Sequence, residues 1–585
     1  MDPENFKIIG VTRDIVSIEI LDSKQFDNHF NIGSYIKIPF QSDSSDFIIG
    51  VIKNYKIKNL DSTDPDTPAG ENQFIIEVEL IGSYRVLSEG KVEFERGAHG
   101  IPLPPNNGIE LLSDEDFNKI YSCKLKDSEK FVFSDLAQNN AIAVPVNGNK
   151  LFNKHFAIVG STGSGKSHSV ASIIQKAIQE KNGSYDDLNN SHIVIFDIGG
   201  EYREAFPDAN IIDSSNIKIP YWLFDSDELG DLFIESNEDN SHNQVSQFRY
   251  AVTENKKHTN PDIDSKNIYF DSPFRFNIDE VIRYIKNVNN EVIGKLEGEN
   301  VPKSISGELI PDRIPKYFTD DIDFCEQSRT KATKAGPGPF KGHFERFILR
   351  LDITRNNPRL RFLFENADSL TLEDVLKQFI GYTKSKANVT IFDLSGIPFE
   401  VLSVTVSLIS RILFEYGYYY KKMLDGSSEC DTPLLLIFEE AHKYVPRSGL
   451  TKYRASRTAI ERIAKEGRKY GITLGIVSQR PAEISETIFS QCNNFIAMRL
   501  TNPDDQNYVR KLLPDTLGDL TNYLPTLKAG EALLIGESII LPSLVKIHMP
   551  NQEPKSPDID YLDIWKKQWK DVNFENVTKD WKNVT

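Results

Sequence analysis

The sequence predicts an α/β protein with a mostly parallel sheet, preceded by a small β-barrel and interrupted by a helical subdomain. Three observations lead to this fold class. The start of the 585-residue chain alternates β-branched and polar residues over short segments. From residue 156 onward, short apolar segments alternate with helical patterns, which is typical of a parallel sheet covered by helices. A long segment of helical periodicity separates two of these apolar segments.

Length and composition indicate a multi-domain globular protein. A chain of 585 residues, 39% hydrophobic and 26% charged, is too long for one core. We find no leader pattern and no apolar run near the ~20 residues that a membrane span needs, so we expect no membrane partner. The four cysteines form neither a metal-binding pair nor a disulfide framework, so we expect a cytoplasmic protein.

The sequence pattern of residues 1–115 predicts the small antiparallel barrel. Short β-branched segments are separated there by Gly, Asn and Asp turns, as in "GSYIKIPF" and "DFIIGVIKNYKI". The polar stretch at residues 61–72 is expected to be a hairpin excursion between two strands.

Residues 116–204 and 385–550 are expected to form the two parts of the parallel-sheet core. Its strand candidates are "FAIVG", "HIVIFDI", "NVTIFDLSG", "PLLLIFEE" and "TLGIVSQ", and "NFIAMRL", "EALLIG" and "SLVKIHM" are expected at its edge. Residues 205–384 are expected to be a mostly helical insertion. The polar tail at residues 551–585 carries Trp565, Trp569 and Trp581, and the first two would share one face of a helix.

A phosphate-binding loop lies between the first core strand and the helix after it. Residues 160–167 read "GSTGSGKS" and match G-x-x-x-x-G-K-[ST] in full. The glycines let backbone N–H groups face phosphate oxygens, Lys166 would reach the β- and γ-phosphates, and the Ser167 hydroxyl would bind Mg²⁺. We therefore predict ATP and Mg²⁺ as cofactors. The predicted nucleotide-binding residues are Gly160, Ser161, Thr162, Gly163, Ser164, Gly165, Lys166, Ser167 and His168.

Two acidic residues follow the apolar strand "LLLIF". The carboxyl ends of parallel strands are where ligands bind in such sheets, so Glu439 and Glu440 are expected beside the phosphate loop. Glu439 would complete the Mg²⁺ shell, and Glu440 would polarise the attacking water. The alternative is a solvated acidic strand end.

Three more polar residues end neighbouring strands. Gln479 follows "TLGIVS" and could sense the γ-phosphate or orient water, or it could be an ordinary polar strand end. Asp197 and Glu201 follow "HIVIF", where a role at the metal or at a subunit interface competes with simple loop capping.

A basic segment follows the acidic pair in a chain whose formal net charge is -17. This charge argues against a protein coated in nucleic acid but leaves room for a local basic channel. Arg468 is our first candidate for an arginine finger reaching a neighbour's nucleotide, and Arg462 is the second. Lys452, Arg454 and Arg457 are candidates for phosphate-backbone contacts, and a solvated helix face is the alternative for each. A second cluster in the insertion comprises Lys331, Lys334, Lys341, Arg346, Arg350, Arg355, Arg359 and Arg361.

Together these motifs resemble the HerA family of hexameric ATPases, in the HerA/FtsK branch of RecA-like motors. The resemblance rests on "TGSGKS", "DIGGEY", "FDLSG", "FEEAH", "EGRKYG", "SQRP" and "RLTNPDDQ", whose order covers most of residues 150–550. It implies a RecA-like core, a homohexamer with ATP at subunit interfaces, and double-stranded DNA in a central channel. It assigns catalytic roles to Lys166, Glu440 and Gln479, with Arg468 acting on the neighbouring subunit. The metal-shell acid of such motors is often Asp, and here it is Glu439.

The resemblance also implies a partner effector. Such rings act with a NurA-type nuclease in DNA end resection, or with a nuclease or a Sir2-like NADase in bacterial antiphage defence. The composition favours the defence setting, in which the barrel would be the effector's docking surface; the alternative is a scaffold that only closes the ring. Residues 551–585 are expected to brace a neighbouring subunit through Trp565 and Trp569 or, equally, to pack on the chain's own core. An ATP-switched scaffold that activates its partner without translocation is the alternative, and a small-molecule kinase is disfavoured because no acceptor pocket is evident.

Overall fold

The fold comprises an N-terminal antiparallel sheet, a large mixed sheet and a helical subdomain inserted into the latter. We describe it from a computed structural model. It covers residues 6–12, 15–21, 31–40, 46–59, 72–87, 91–97, 108–234, 241–295, 300–330, 334–383, 385–424, 430–447, 454–512, 515–555 and 559–584.

The N-terminal sheet curls around its own core. Phe6 and Ile8 on the first strand share one buried cluster with Ile109, which precedes the last strand, so the two ends of the sheet enclose the same interior. The strand order is β1-β2-β5-β4-β3-β7, with β6 paired to β5. The polar stretch at residues 61–72 lies outside the described residues except for Asn72, where β5 begins. The strands are β1 (Phe6–Val11), β2 (Ile15–Ile20), β3 (Tyr35–Pro39), β4 (Asp46–Asn59), β5 (Asn72–Val86), β6 (Val92–Arg96) and β7 (Glu110–Leu111).

The chain then enters the core and forms the first part of the large sheet. The Ser113 side chain caps the first helix by accepting a hydrogen bond from the Asp116 backbone N–H, a favourable N-cap. The elements are α1 (Asp114–Ser122), β8 (Lys130–Leu136), β9 (Asn139–Asn147), α2 (Gly148–Asn153), β10 (Phe156–Val159), α3 (Lys166–Gln179), β11 (His192–Asp197) and β12 (Asn210–Ile212).

The inserted segment is built mainly of helices and adds one small antiparallel sheet of two strands. Its longest described helix begins at Ser241, and in the small sheet Val292 pairs with Pro337 and Gly294 with Ala335. The elements are α4 (Ser226–Phe233), α5 (Ser241–Thr259), α6 (Ile278–Asn290), β13 (Val292–Gly294), α7 (Lys316–Thr319), β14 (Ala335–Pro337), α8 (Glu345–Arg355), α9 (Arg361–Phe364) and α10 (Leu372–Ile380).

The second part of the core completes the sheet, and two short helices follow it. The elements are β15 (Val389–Asp393), α11 (Phe399–Met423), β16 (Leu434–Phe438), α12 (Arg454–Glu466), β17 (Ile472–Ser478), α13 (Glu486–Phe489), β18 (Asn494–Met498), α14 (Pro503–Leu512), β19 (Glu531–Gly536), β20 (Ser543–Ile547), α15 (Tyr561–Trp565) and α16 (Phe574–Val584).

Among the described residues the large sheet runs β12-β15-β11-β16-β17-β10-β18-β19-β20-β8-β9. Pairing is parallel from β12 to β18 and antiparallel from there on. Two expectations need correction. Strands β18 to β20 are interior, because the β8–β9 hairpin pairs with β20 and supplies that edge. The sheet also reaches residues 210–212, inside the expected insertion, because a three-residue edge strand is too short to show a periodicity.

Helix α11 is the one described helix whose length and composition would allow it to cross a membrane, although no such run was expected. Its segment Val401–Met423 has a mean hydropathy of 1.2, but 78% of the apolar window is buried within the protein. Buried side chains such as Val406, Leu408 and Ile409 belong to the main hydrophobic cluster. Helix α11 is therefore a core helix, apolar on most sides because helices and the sheet surround it.

A buried ion pair joins the inserted subdomain to the core. Glu228 of α4 is completely buried, and its Oε2 lies 2.8 Å from Arg411 Nη2 on α11. The Ser407 hydroxyl donates a 2.9 Å hydrogen bond to the other carboxylate oxygen. Burial raises the pKa of Glu228, and the Arg411 guanidinium opposes this rise. The carboxylate therefore depends on its partner to stay charged in this interior.

The C-terminal helices lie on the surface. Every described side chain of α15 is exposed, and the ring of Trp565 contacts that of Tyr561 with centroids 5.3 Å apart. Helix α15 ends at Trp565, so Trp569 does not share a helical face with it as expected. A four-residue spacing places two side chains on one face only within a continuous helix, and α15 ends at the first of these two residues.

We predict that Arg411→Met destabilises the core by about 3–5 kcal/mol, because it leaves Glu228 charged and unpaired in the interior. Thermal and urea unfolding would measure the loss. Lys377→Met removes one member of the exposed Glu373–Lys377 pair and is the matched control, with an expected effect of about 1 kcal/mol or less. Equal effects of the two substitutions would contradict the role of the buried pair.

Candidate functional site

The phosphate-binding loop connects β10 to α3 and is held by its neighbours on both sides. The Gly160 N–H donates to the Ser478 carbonyl at 3.2 Å, and the Ser161 N–H donates to the Arg499 carbonyl at 2.7 Å. Gly163 and Gly165 have φ of 71° and 98°, a left-handed backbone that favours glycine. The loop is thus preorganised, with its N–H groups at the N-terminus of α3, where anions bind.

A cavity of about 350 Å³ lies in front of this loop. It forms because β17 lies next to β10 in the sheet and β16 next to β17, so that their carboxyl ends meet the loop at one edge. The structure therefore brings together most of the residues expected at the nucleotide. The predicted residues that line it are Thr162, Gly163, Gly165, Lys166, Ser167, His168, Glu201, Glu439, Glu440 and Gln479.

Glu439 is the buried acid of the pair. It is 4% exposed, and the Tyr202 hydroxyl donates a 2.9 Å hydrogen bond to its Oε2. Burial raises the pKa of Glu439 to about 8, the charge of Glu440 adds to the rise, and Lys166 opposes it. A nearby cation would stabilise the charged form of a carboxylate in this buried setting. Glu439 and the Ser167 hydroxyl both offer oxygen atoms to the cavity, which fits Mg²⁺ bound mainly through phosphates and water.

Glu440 has a strained backbone and a side chain held on both sides. Its φ of 49° and ψ of 47° are rare for a residue other than glycine. The Gln479 amide donates to Oε1 of Glu440, and the Thr162 hydroxyl donates to the Gln479 amide oxygen. His442 Nδ1 lies 3.3 Å from Oε2, but this buried oxygen accepts no hydrogen bond from any described group. The carboxylate is therefore held by Gln479 on one side and lies against His442 on the other.

His442 is a site residue that the sequence analysis quoted within "FEEAH" without giving it a role. Its Nδ1 lies 3.2 Å from the Ser478 hydroxyl as well as close to Glu440. Burial lowers the pKa of His442, with Glu440 opposing, so the imidazole is neutral near pH 7. The sequence shows that His442 follows Glu440 by two residues. The contact between their side chains, made across a sharp backbone turn, could be found only from the structure.

Tyr202 and Arg499 were missed as well. Tyr202 is fully buried and ends the motif "DIGGEY", so its hydroxyl could have been assigned to the acidic pair only once β11 and β16 were known to be neighbours. Arg499 reaches the loop from the end of β18, with Nη2 3.4 Å from the Gly163 carbonyl. It adds a positive charge beside the phosphate-binding loop.

Asp197 and Glu201, whose roles the sequence left open, lie in different surroundings in the structure. Asp197 accepts hydrogen bonds from the backbone N–H groups of Gly199, Gly200 and Tyr202 at 2.8–3.1 Å, so it caps its own loop. Glu201 lines the cavity. The loop capping by Asp197 thus orients Glu201 toward the nucleotide site.

The candidate basic residues lie away from their own chain's cavity. Arg468 is exposed in a turn after α12, near Lys154 and His155. Arg462 stacks on Phe414, with its guanidinium carbon 4.4 Å from the ring centre. Arg457 donates to Glu461 at 2.7 Å, and Arg454 is exposed at the start of α12, whereas Lys452 lies outside the described residues.

Two members of the second basic cluster are already paired with acidic residues. Arg355 pairs with Asp279 and Arg361 with Glu365, while Arg346 projects from α8. Lys331 lies outside the described residues, and Arg359 borders a separate cleft described below.

Comparison with known proteins gives a consistent result. The family described as "Helicase HerA, central domain" matches residues 131–329. A probable DNA double-strand break repair helicase HerA of Methanocaldococcus jannaschii is 27% identical over 570 residues, covering 92% of this chain and 96% of that protein. The chain is thus similar to HerA helicases over nearly its whole length. A HerA helicase of Pyrococcus furiosus is 26% identical and covers 88% of this chain and 87% of its own length.

The similarity to HerA helicases and the geometry of the site together indicate an ATP-hydrolysing enzyme with a phosphate-binding loop. Among solved structures, the bacterial conjugative coupling protein TrwB is 10% identical, with a TM-score of 0.41 over 76% of this chain and 94% of that one.

We predict that His442→Ala lowers kcat for ATP hydrolysis by roughly 10- to 100-fold with little change in KM, because Glu440 loses one of its two supports while the nucleotide contacts remain. His442→Asn is the matched control, since its amide nitrogen can occupy the position of Nδ1 and restore part of the rate. Steady-state ATPase kinetics would measure both variants. A change confined to KM would contradict a positioning role.

Proposed function

We propose that the chain forms a homohexameric ring that hydrolyses ATP and moves along double-stranded DNA. The observation that carries this proposal is the carboxylate of Glu440, held at the mouth of the loop cavity in a position suited to orient water. The proposal also draws on the relatives that match nearly the whole chain, which are named as DNA double-strand break repair helicases.

The proposed chemistry uses the residues of the cavity. The N–H groups of the loop and Lys166 would bind the β- and γ-phosphates, and Ser167 and Glu439 would hold Mg²⁺, which would neutralise charge at these phosphates. Glu440 accepts a hydrogen bond from the attacking water and polarises it toward the γ-phosphate. Tyr202 fixes the orientation of Glu439 through the hydroxyl hydrogen bond.

Gln479 is proposed to report the state of the nucleotide. Its amide oxygen accepts from Thr162 in the loop, and its amide nitrogen donates to Glu440. A γ-phosphate beside Thr162 would compete for the same hydrogen bonds and release Glu440 toward the water. The strained backbone of Glu440 would then supply part of the driving force for this movement.

Arg468 is proposed to act on the neighbouring subunit. It is exposed and does not line its own chain's cavity, so it can serve only a site to which another chain contributes the loop. Its proximity to Lys154 makes this surface basic, which suits a phosphate-bearing neighbour. A ring whose sites lie between subunits satisfies both conditions.

The proposal also includes a partner effector enzyme. The relatives' names give DNA double-strand break repair, which favours a repair role. A NurA-type nuclease as the partner stays a prediction from the resemblance, and the antiphage setting with a nuclease or a Sir2-like NADase is favoured only by composition. The ATP-switched scaffold is the competing function. Activation of the partner by a hydrolysis-deficient ring would favour the scaffold over the motor.

We predict that Glu440→Gln lowers DNA-stimulated ATP hydrolysis by about 10²- to 10⁴-fold while ATP binding persists, because the amide cannot polarise water. Lys166→Ala is expected to weaken binding itself. ATPase assays with and without long duplex DNA, together with nucleotide binding, would separate the two defects. If the unmodified protein hydrolysed ATP at the same rate with and without duplex DNA, the result would contradict the proposed motor function.

We predict that Arg468→Ala lowers kcat by about 10³-fold or more, as expected of an arginine finger. Mixing Arg468→Ala with Lys166→Ala chains should recover part of the activity, because mixed rings contain some sites with both residues intact. Lys469→Ala, at the neighbouring exposed position, is the control and should keep normal activity. Mixtures with no recovered activity, despite subunit exchange, would contradict action between subunits.

A further inference from the structure

A second, larger cleft lies on the same edge of the sheet as the nucleotide cavity. Its volume is about 800 Å³, within the range of about 300–1,000 Å³ typical of small-molecule sites. It opens where β12 and β15 end, between the core and the inserted subdomain. Its core side is formed by residues 214–218 and 395–398, and its inserted side by residues 358–370.

The cleft has an apolar floor. Ile217 and Ile397 are each 7% exposed, and Phe362 and Leu370 are partly buried beside them. Phe362 offers an aromatic ring to the interior of the cleft. A flat apolar group such as a nucleobase could stack on it and be shielded from water.

The rim of the cleft is cationic. It carries Lys218, Arg359 and Arg361 against the single carboxylate of Glu365, which Arg361 already contacts at 2.8 Å. In the part of the chain that the structure describes, Lys218 and Arg359 have no salt-bridge partner. In a protein of net charge -17, two cations without a salt bridge at one cleft are suited to an anionic ligand. Hydroxyl groups of Ser214, Ser369 and Ser395 add hydrogen-bonding groups to the lining.

From this combination we propose that the cleft binds a nucleotide unit, with the base on the apolar floor and the phosphates on the cationic rim. The nucleotide unit is either a free nucleotide or the terminal nucleotide of a nucleic-acid strand. The cleft has no phosphate-binding loop and no acidic pair, so this nucleotide is bound and not hydrolysed there.

The cleft is separate from the hydrolytic site but connected to it. Strands β15 and β10 lie four positions apart in the sheet, which corresponds to about 19 Å. Arg203 bridges the gap: its Nη2 lies 3.0 Å from Asp213 and 3.7 Å from Asp393, both of which adjoin the cleft. Arg203 belongs to the same loop as Glu201, which lines the ATP cavity. A ligand in the cleft can therefore influence the ATP site through this loop.

Fluorescent N-methylanthraniloyl-ADP tests the proposal by counting bound nucleotides per chain. If a free nucleotide is the ligand, we expect two for the unmodified protein, one for Lys166→Ala, one for the double variant Lys218→Glu/Arg359→Glu, and none for the combination of all three substitutions. The double variant should keep its basal ATPase rate, which shows that it is folded. Arg346→Glu, an exposed charge reversal on the same subdomain away from the cleft, is the matched control and should bind two.

A fluorescein-labelled octanucleotide, added to Lys166→Ala protein, distinguishes the two sources of the nucleotide unit. If a strand end is the ligand, Lys218→Glu/Arg359→Glu should weaken octanucleotide binding at least tenfold. In that case the unmodified protein should bind only one N-methylanthraniloyl-ADP per chain. If a free nucleotide is the ligand, only the ADP count should change. Unchanged ADP stoichiometry together with unchanged octanucleotide affinity would overturn the proposal.

Discussion

The constraint on which the site depends is the meeting of parallel strand ends at one edge of the sheet. Because β10, β17 and β16 are neighbours, the phosphate-binding loop, Gln479 and the acidic pair converge without any long side chain having to reach across the fold. The strands themselves are apolar and almost fully buried, so their positions are fixed by packing. The polar chemistry is thus confined to the few residues that emerge from the sheet.

This arrangement makes Glu440 the most constrained residue of the cavity. Its left-handed backbone costs free energy that the surrounding contacts must offset, and those contacts are with Gln479 and His442. Its neighbour Glu439 is constrained differently, by burial and by the hydroxyl of Tyr202. Two adjacent acids thereby acquire separate environments, one suited to a cation and the other to water. Such a division is the usual route by which paired carboxylates take different roles.

Much of this could be predicted from the sequence, and the part that could not has a physical cause. The loop at residues 160–167 and the pair Glu439–Glu440 are local patterns, visible because strand, turn and helix follow one another directly. The contacts of His442, Tyr202 and Arg499 depend on which strands are neighbours, which local periodicity does not encode. The interior position of β18 to β20 was missed for the same reason, whereas the strand β12 was missed because three residues are too few to show a periodicity. The cleft at Lys218 and Arg359 joins segments about 140 residues apart and has no sequence motif.

The central claim is that ATP turnover moves the ring along duplex DNA. Displacement of a triplex-forming strand from a long duplex tests it directly, because the third strand is removed only by a protein that travels through its site. The account predicts displacement that requires ATP and is absent with Glu440→Gln, although that variant still binds DNA. ATP hydrolysis stimulated by the same duplex without any displacement would contradict the claim and favour the scaffold.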